Sequence, residues 1–482
     1  MKCLVMAALG ASLAGLPAAE APMPYGPVPT TAQLIRQTNE FYGFIHFTVN
    51  TFTDKEWGEG DEAEAVFQPE NFDPAQIVRV AQEAGMRGLV LTCKHHDGFC
   101  LWPSAFTEHS VKHSPWKNGQ GDVVRELADA CRDGGLRFGV YLSPWDRHDG
   151  RYGTPAYLTY YRQQLRELLS NYGPISEVWF DGANGGSGFY GGRREERRID
   201  NRTYYDWPHT WAMVRELQPG AVMFSDVGPG VRWVGNEAGQ AGDPCWNVFD
   251  PDGQAPGHAD SRLLNQGMRH GKEWIPAECD VSIRPGWFYH ASEDHAVKTP
   301  AQLVDLYYAS IGRGASLLLN VPPDRRGQIH AADEEALRGF RHIIDATFAE
   351  NLARDARVRA DSVRGPEKQF AAENLLDGDR ETYWAAADTA TNTAVEFDFG
   401  HPISFNVIRL REYLPLGQRV DTYGLDQWSQ GAWVEVAKGS GIGNCRLIRS
   451  GWVKTERVKL RLAGPACPAL SEFGLFVEPV GK

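Results

Sequence analysis

Asp181 ends a short apolar segment, Ile175-Ser-Glu-Val-Trp-Phe-Asp181, and is followed directly by Gly182. The segment predicts a buried strand, and the glycine lets the chain turn away at once. A carboxylate at the rim of a buried strand costs free energy unless something uses its charge. In a barrel of alternating strands and helices, catalytic groups lie at that rim. Asp181 is therefore a candidate catalytic carboxylate.

Two more polar clusters occur at or after predicted strands. His46 lies near the end of a strand predicted at 41–47, and Glu56 and Trp57 are in the loop beyond it. The second cluster, Lys94-His95-His96-Asp97, follows a strand predicted at 87–92. A single buried histidine is most often a satisfied core residue, and adjacent strand residues point to opposite faces. The joint occurrence of these clusters with Asp181 at one rim indicates a functional site.

A metal centre is one alternative for these residues. His46, His95, His96 and Asp181 are all of types that bind zinc. Their spacing matches no helical His-x-x-x-His pattern, although separate strands also supply ligands. Neutral imidazoles beside an aromatic face suit the hydroxyl groups and C–H surface of a polyhydroxyl ligand better. We therefore expect a sugar-like ligand and no metal or other cofactor for catalysis.

Hydrolysis of a glycosidic bond calls for a second carboxylate opposite the first. Asp226 follows a strand predicted at 221–225, Glu237 lies in the loop beyond that strand, and Glu278 lies further along the chain. The spacing does not choose among these three. Each could instead pair with Arg232 or Arg284.

The sequence predicts alternating strands and helices that would position these groups. Strands are predicted at 41–47, 87–92, 136–142, 175–181, 221–225 and 315–321, and residues 238–300 have an irregular pattern. Helices are predicted between them, for example at 74–84 and 155–171. Repeated units of this spacing predict parallel strands, and a closed (β/α)8-like barrel fits better than an open sheet. No glycine-rich phosphate loop follows the first strand, so nucleotide binding is not expected.

The pattern changes near residue 354. Beyond it the segments are short, alternate in polarity and are separated by turn residues, which predicts an all-β sandwich at 354–482. The predicted barrel domain is 21–353. Residues 1–20 have a charged start, an apolar core and small residues, which is typical of a secretory signal peptide. We therefore expect export to the periplasm or the extracellular space.

The net charge and the cysteine content bear on the classes of partner and on possible disulfides. The formal net charge is −13, which disfavours nucleic acid as a partner. No segment after the signal peptide is apolar enough over its length to span a membrane. Seven cysteines follow that peptide, and Cys445 with Cys467 could form a disulfide in the second domain. The oligomeric state is not predicted.

Five motifs together resemble glycoside hydrolase family 29, the α-L-fucosidases. The motifs occur in order between about residues 30 and 350, and they are Phe41-Tyr-Gly-Phe-Ile-His46-Phe, Lys94-His95-His96-Asp97-Gly-Phe, Val178-Trp-Phe-Asp181-Gly182, Arg232-Trp-Val-Gly-Asn-Glu237 and Leu317-Leu-Leu-Asn320-Val. The resemblance implies an exo-acting, retaining enzyme on a (β/α)8-like barrel. The fourth motif is similar to the subgroup that prefers α-1,3- and α-1,4-linked fucose in branched glycans.

The same resemblance implies roles for individual residues. Asp181 would be the nucleophile and Glu237 the acid/base. The residues that resemble the family's fucose-binding set are His46, Glu56, Trp57, His95 and His96, with Tyr141 and Trp287 added on looser grounds. Two alternatives remain at this point: a non-catalytic glycan-binding protein on a decayed barrel, and a related exo-glycosidase that acts on galactosides.

The second domain has a resemblance of its own. Asn374-Leu-Leu-Asp377-Gly378-Asp379, followed by Thr382-Tyr-Trp384, is similar to the discoidin-like (coagulation factor 5/8 type C) fold. Domains of that kind often bind carbohydrate, and many hold a structural calcium ion. The resemblance therefore implies a jelly-roll sandwich that binds carbohydrate or has a purely structural role.

Overall fold

Eight parallel strands close into a barrel in the computed structural model, which describes residues 20–366 and 368–479. The barrel strands are β1 Phe41–Ile45, β2 Gly88–Lys94, β3 Arg137–Leu142, β4 Glu177–Trp179, β5 Val222–Ser225, β6 Val231–Trp233, β7 Ala277–Ser282 and β8 Ser316–Asn320. Neighbours in the barrel follow chain order, and β8 pairs with β1. The predicted closed barrel is confirmed. The predicted signal peptide lies outside the described residues, apart from Glu20.

Nine α-helices accompany the barrel strands within the described residues. They are α1 Thr31–Asn39, α2 Val49–Thr53, α3 Pro74–Ala84, α4 Val123–Asp133, α5 Pro155–Asn171, α6 Trp207–Leu217, α7 Ser261–Gln266, α8 Pro300–Ala309 and α9 Ala331–Phe348. Helix α3 begins where the sequence predicts, because the Asp73 carboxylate accepts the Gln76 N–H at 3.0 Å and Pro74 fits the first turn. It ends at Gly85, whose φ of 87° is left-handed.

Strands β6 and β7 are not among the predicted ones. Only residues 226–230 connect β5 to β6, so no helix signal separates the two. In β7, Ala277, Cys279 and Val281 pack towards the helices. The alternate residues Glu278, Asp280 and Ser282 bond to groups in and around the barrel interior. This two-residue alternation is a strand signal, but polar residues on the inner face hide it in a search for apolar segments.

Aromatic side chains fill the barrel interior. Tyr42 and Phe44 point inward from β1, whereas Phe41 and Ile45 pack on the helices. Trp179 stacks on Phe224 with ring centroids 4.0 Å apart. Beneath them, buried Arg36 forms ion pairs with Glu177 and Glu278, and the Glu278 carboxylate also accepts the Trp179 indole N–H at 3.1 Å. The rings therefore form a rigid layer below the mouth of the barrel.

The second domain is an antiparallel sheet, so its all-β character is confirmed. Its strands are β9 Arg357–Ala360, β10 Trp384–Ala385, β11 Asn392–Glu412, β12 Thr422–Ser429, β13 Ala432–Ser440, β14 Arg446–Ala463 and β15 Ala469–Phe476. The order is β10-β15-β11-β14-β12-β13, and β9 pairs with β11. The barrel's last helix ends at Phe348, before the predicted boundary at 353/354, and β9 begins after it.

Charged side chains join the two domains. Arg411 of β11 is buried between Glu40, at the entry to β1, and Glu472 of β15. The proposed Cys445–Cys467 disulfide is wrong, since both thiols are buried and unpaired. Cys445 packs with the barrel core, whereas Cys467 lies in the core of the second domain and accepts a hydrogen bond from Arg419. The two side chains belong to different packing clusters.

Candidate active site

A cavity of about 510 Å³ opens at the carboxyl ends of the barrel strands. Every residue to which the family resemblance gives a role lines it except Glu56. The lining set includes His46, Trp57, His95, His96, Tyr141, Asp181, Glu237 and Trp287. These side chains come from β1 to β4 and β6 to β7 or from the loops that follow them. The barrel thus brings together groups that lie up to 241 residues apart in the chain.

Asp181 is held by donors on both carboxylate oxygens. The Tyr141 hydroxyl donates to Oδ2 at 2.8 Å, and the Ala183 N–H donates to Oδ1 at 2.7 Å. His96 Nε2 lies 3.9 Å from Oδ2. The side chain is 23% exposed, so it remains accessible from the cavity. This is the environment of an oriented carboxylate that can act as a nucleophile.

Glu237 reaches the same cavity from the loop after β6. The Trp287 indole N–H donates to its Oε2 at 3.3 Å. Burial raises the pKa of Glu237, the Trp287 hydrogen bond opposes that rise, and the negative charge of Asp181 adds to it. The raised pKa shifts Glu237 towards the protonated form that a general acid requires.

The other two candidates for the second carboxylate lie in different places, one inside the cavity and one outside it. Asp226 lines the cavity, desolvation raises its pKa to about 6, and its Oδ2 accepts the Gly257 N–H at 2.7 Å, as Glu237 Oε2 accepts the Trp287 indole N–H. Glu278 lies outside the cavity lining, in the ion pair with Arg36. Arg232 donates to backbone carbonyls, and Arg284 pairs with Asp333 and Asp294.

The cavity histidines are neutral. Burial lowers the pKa of His46 to about 3 and that of His96 to about 4, and it lowers the pKa of His95 well below the usual value. Asn320 Nδ2 donates to Ser282 and to the Trp287 carbonyl, so Asn320 Oδ1 must accept from His46 Nδ1, 2.8 Å away. His46 Nε2 is then a hydrogen-bond acceptor.

The tautomer of His96 can be assigned from its hydrogen bonds in the same way. Ser143 Oγ donates to the Trp145 carbonyl at 2.6 Å and therefore accepts from His96 Nδ1 at 2.7 Å. His96 Nε2 and the Asp181 carboxylate are then two acceptors that face each other, and a ligand hydroxyl can donate to either. Strand β2 ends at Lys94, so the strand alternation expected of His95 and His96 no longer applies, and both line the cavity.

Glu56 supports the cavity from outside its lining. Its carboxylate accepts the N–H groups of Trp287 at 2.8 Å and Phe288 at 3.1 Å, and it also bonds to His290 at 2.7 Å. Trp57 lies at the rim, where 51% of it is exposed, and its ring packs edge-on against His96. Glu56 thus holds the segment that carries Trp287.

Sequence reasoning missed several lining residues, among them Asp280 and Trp233. Asp280 accepts the Trp233 indole N–H at 2.8 Å. Burial, and next the charge of Glu237, raise the pKa of Asp280 well above its usual value. The alternation within β7 is the signal that could have placed Asp280 at the rim. Trp179, Phe44 and Phe224 also line the cavity, and their apolar patterns predict only core positions.

Two structural features are absent from residues 20–366 and 368–479. No group of three or more His, Cys, Asp or Glu side chains in these ranges is arranged to hold a metal ion. No helix in the same ranges combines the length and apolar character needed to cross a membrane.

The chain is similar to proteins of known family. Residues 30–344 match the alpha-L-fucosidase family. Alpha-L-fucosidase 1 of Arabidopsis thaliana is 42% identical over 95% of this chain and 89% of its own length. A glycoside hydrolase 29 family member from an unknown rumen bacterium superposes with a TM-score of 0.85 at 43% identity, over 95% of this chain and 79% of that one. A Ruminococcus gnavus fucosidase in complex with fucose gives 0.86 at 32% identity, over 96% and 97%.

Proposed function

The chain belongs to glycoside hydrolase family 29 and is an alpha-L-fucosidase, and from this premise we propose that it releases terminal fucose from glycans with retention of configuration. One observation carries the proposal. The cavity holds a donor-bound carboxylate, Asp181, together with a second carboxyl group, Glu237, whose pKa is raised. That pairing suits a nucleophile and an acid/base acting on one anomeric centre.

In the first step, Asp181 attacks the anomeric carbon while Glu237 protonates the leaving oxygen. A covalent fucosyl–enzyme forms, and the leaving sugar departs with the proton of Glu237. The hydrogen bonds from Tyr141 and Ala183 hold Asp181 in one orientation for attack. Trp287 directs the Glu237 carboxyl group into the cavity.

In the second step, Glu237, now ionised, removes a proton from water. The water attacks the anomeric carbon, the bond to Asp181 breaks, and Glu237 regains its proton. Two displacements at one carbon restore the original configuration. The neighbouring negative charge of Asp181, once freed, favours the protonated form of Glu237 again.

Recognition of fucose is proposed for the remaining lining residues. The acceptor nitrogens of His46 and His96 suit sugar hydroxyl donors, and His95 lies between them with ring centroids 5.6 and 4.1 Å away. Trp57 and Trp287 suit the apolar face and methyl group of fucose. Glu56 acts through its hold on the Trp287 segment.

The linkage proposed is α-1,3 or α-1,4 to a branched glycan, with cleavage from the chain end. Its support is the resemblance of the Arg232–Glu237 motif to the subgroup with that preference, and Glu237, the proposed acid/base, follows β6. Digestion of a panel of α-1,2-, α-1,3- and α-1,4-fucosylated oligosaccharides tests the preference. Following the first-formed anomer by NMR tests retention, and an initial β-fucose product would refute it. Competition by free galactose rather than fucose would indicate a galactosidase instead.

Two further parts of the proposal are that the protein is exported and that its second domain binds a structural calcium ion. Export rests on the composition of residues 1–20. In the second domain, the Asp377 carboxylate accepts hydrogen bonds from the Asp379 N–H and from Thr382 Oγ1, so protein donors already satisfy it. A structural calcium ion there would have to share the Asp377 oxygens with these donors. An unchanged unfolding temperature with calcium and with chelator would contradict that role.

A further inference from the structure

A second cavity adjoins the proposed fucose cavity. Its volume is about 670 Å³, and Gly257 and Ala259 line both cavities. Residues 250–260, which we call the wall loop, form most of its lining, together with Leu263 and Met268. Movement of the wall loop therefore changes the shape of both cavities. The lining combines hydrogen-bonding groups with a small apolar floor, as sugar-binding surfaces do.

The wall loop is connected to the loop of the proposed acid/base through α7. It leads directly into α7, where Asn265 donates to the carbonyls of Val234 at 3.1 Å and Gln240 at 2.8 Å. Glu237 lies between those two carbonyls in the chain. Since the acid/base protonates the leaving oxygen, the leaving sugar must extend past Glu237. The second cavity shares Gly257 and Ala259 with the cavity that holds Glu237, and it offers room for that sugar.

Two side-chain bonds hold the wall loop at Gly257. Asp226 Oδ2 accepts the Gly257 N–H at 2.7 Å, and Asn201 Nδ2 donates to the Gly257 carbonyl at 2.7 Å. Gly257 has a φ of +75°, and any side chain there would collide with the Gly182 carbonyl and Asn184. The loop is thereby pinned against the segment that follows Asp181.

We propose that Asp226 is a positioning residue that fixes the wall loop, and that the wall loop decides which leaving sugars the enzyme accepts. The proposal rests on the proposed function, because it assigns the second cavity to the sugar from which fucose is released. Asp226 acts through Gly257 and does not transfer the proton. Its effect must then be larger for an oligosaccharide than for a fucoside whose leaving group is a small aromatic ring.

The test compares Asp226→Ala with Asp226→Asn on two substrates, 4-nitrophenyl α-L-fucoside and an α-1,3- or α-1,4-fucosylated trisaccharide. Both variants remove the charge near Asp181, but Asn retains an oxygen that accepts the Gly257 N–H. The readout is kcat/KM for the trisaccharide divided by kcat/KM for the aryl fucoside. We expect Asp226→Ala to lower this ratio by about tenfold or more, and Asp226→Asn by less than about threefold.

Equal losses on both substrates in Asp226→Ala would overturn the proposal, as would an Asp226→Asn variant that behaves like Asp226→Ala. If the wild-type enzyme hydrolyses neither the aryl fucoside nor the trisaccharide, the result would instead contradict the proposed function. Asn201→Ala provides a second variant, since it removes the other bond to Gly257 without touching the cavity lining. It should lower the ratio several-fold and raise hydrogen exchange in residues 250–260, and an unchanged ratio with unchanged exchange would count against the wall loop.

Discussion

Replacing Glu237 with Gln tests the assignment of the acid/base most sharply. Gln keeps an oxygen that accepts the Trp287 indole N–H, so the side chain should stay in place. The change removes only the transferable proton. General acid–base catalysis contributes about 10²- to 10⁴-fold, which corresponds to roughly 3–5 kcal/mol of transition-state stabilisation. We expect kcat/KM for a fucosylated oligosaccharide to fall by that factor.

The aryl fucoside should respond differently because its leaving group needs little protonation. Its first step should be nearly unaffected, while the second step slows for lack of a base, so kcat and KM should fall together. Azide needs no base and should restore turnover, giving a fucosyl azide of the same anomeric configuration as the substrate. The free energy of unfolding should change by less than about 1 kcal/mol, because no packing contact is lost.

The pH profile gives an independent check. In the wild type, kcat/KM should fall as pH rises through the raised pKa of Glu237, because the acid loses its proton. Glu237→Gln should lack this basic limb, whereas the matched variants Asp226→Asn and Asp280→Asn should keep it. Glu237 is not the acid/base if Glu237→Gln hydrolyses the oligosaccharide within about tenfold of wild type while either control variant loses the limb.

Three further predictions concern the nucleophile, acid stability and the domain interface. Tyr141→Phe removes one of the donors that orient Asp181 and should lower kcat by roughly tenfold, which steady-state kinetics can measure. Burial lowers the pKa of His46 from 6.5 to about 3, so the unfolded chain binds a proton that the folded chain does not, and stability falls as pH drops below about 6.5. His46→Asn should therefore lose about 2 kcal/mol less than wild type between pH 7 and pH 5 in urea denaturation, and equal losses would contradict the assignment. Arg411→Met leaves the buried Glu40 and Glu472 short of a cation and should cost about 3 kcal/mol by the same assay, whereas a loss under about 1 kcal/mol would mean that Arg380 and Arg409 suffice.

The barrel could be predicted where local patterns are strong. Helices α3 and α5 begin and end at the predicted residues. Local signals mark their starts, namely the Asp73 cap with Pro74 in α3 and Pro155 in α5. Strands β6 and β7 could not be found in the same way. The three residues of β6 are too few to show the two-residue alternation of a strand. The inward face of β7 is polar because it contacts Arg36, Trp233 and Asn320, which come from distant parts of the chain.

The sequence by itself determined that Asp181 ends a buried strand, that polar clusters end two other strands, and that strands and helices alternate. These features depend on neighbours in the chain, and the sequence records them directly. Only the tertiary structure decided that Glu237 and Asp226 line the cavity with Asp181, whereas Glu278 becomes an ion-pair partner of Arg36. Glu237, Asp226 and Glu278 are chemically alike, and burial, donors and nearby charge differ among them only once the barrel has closed.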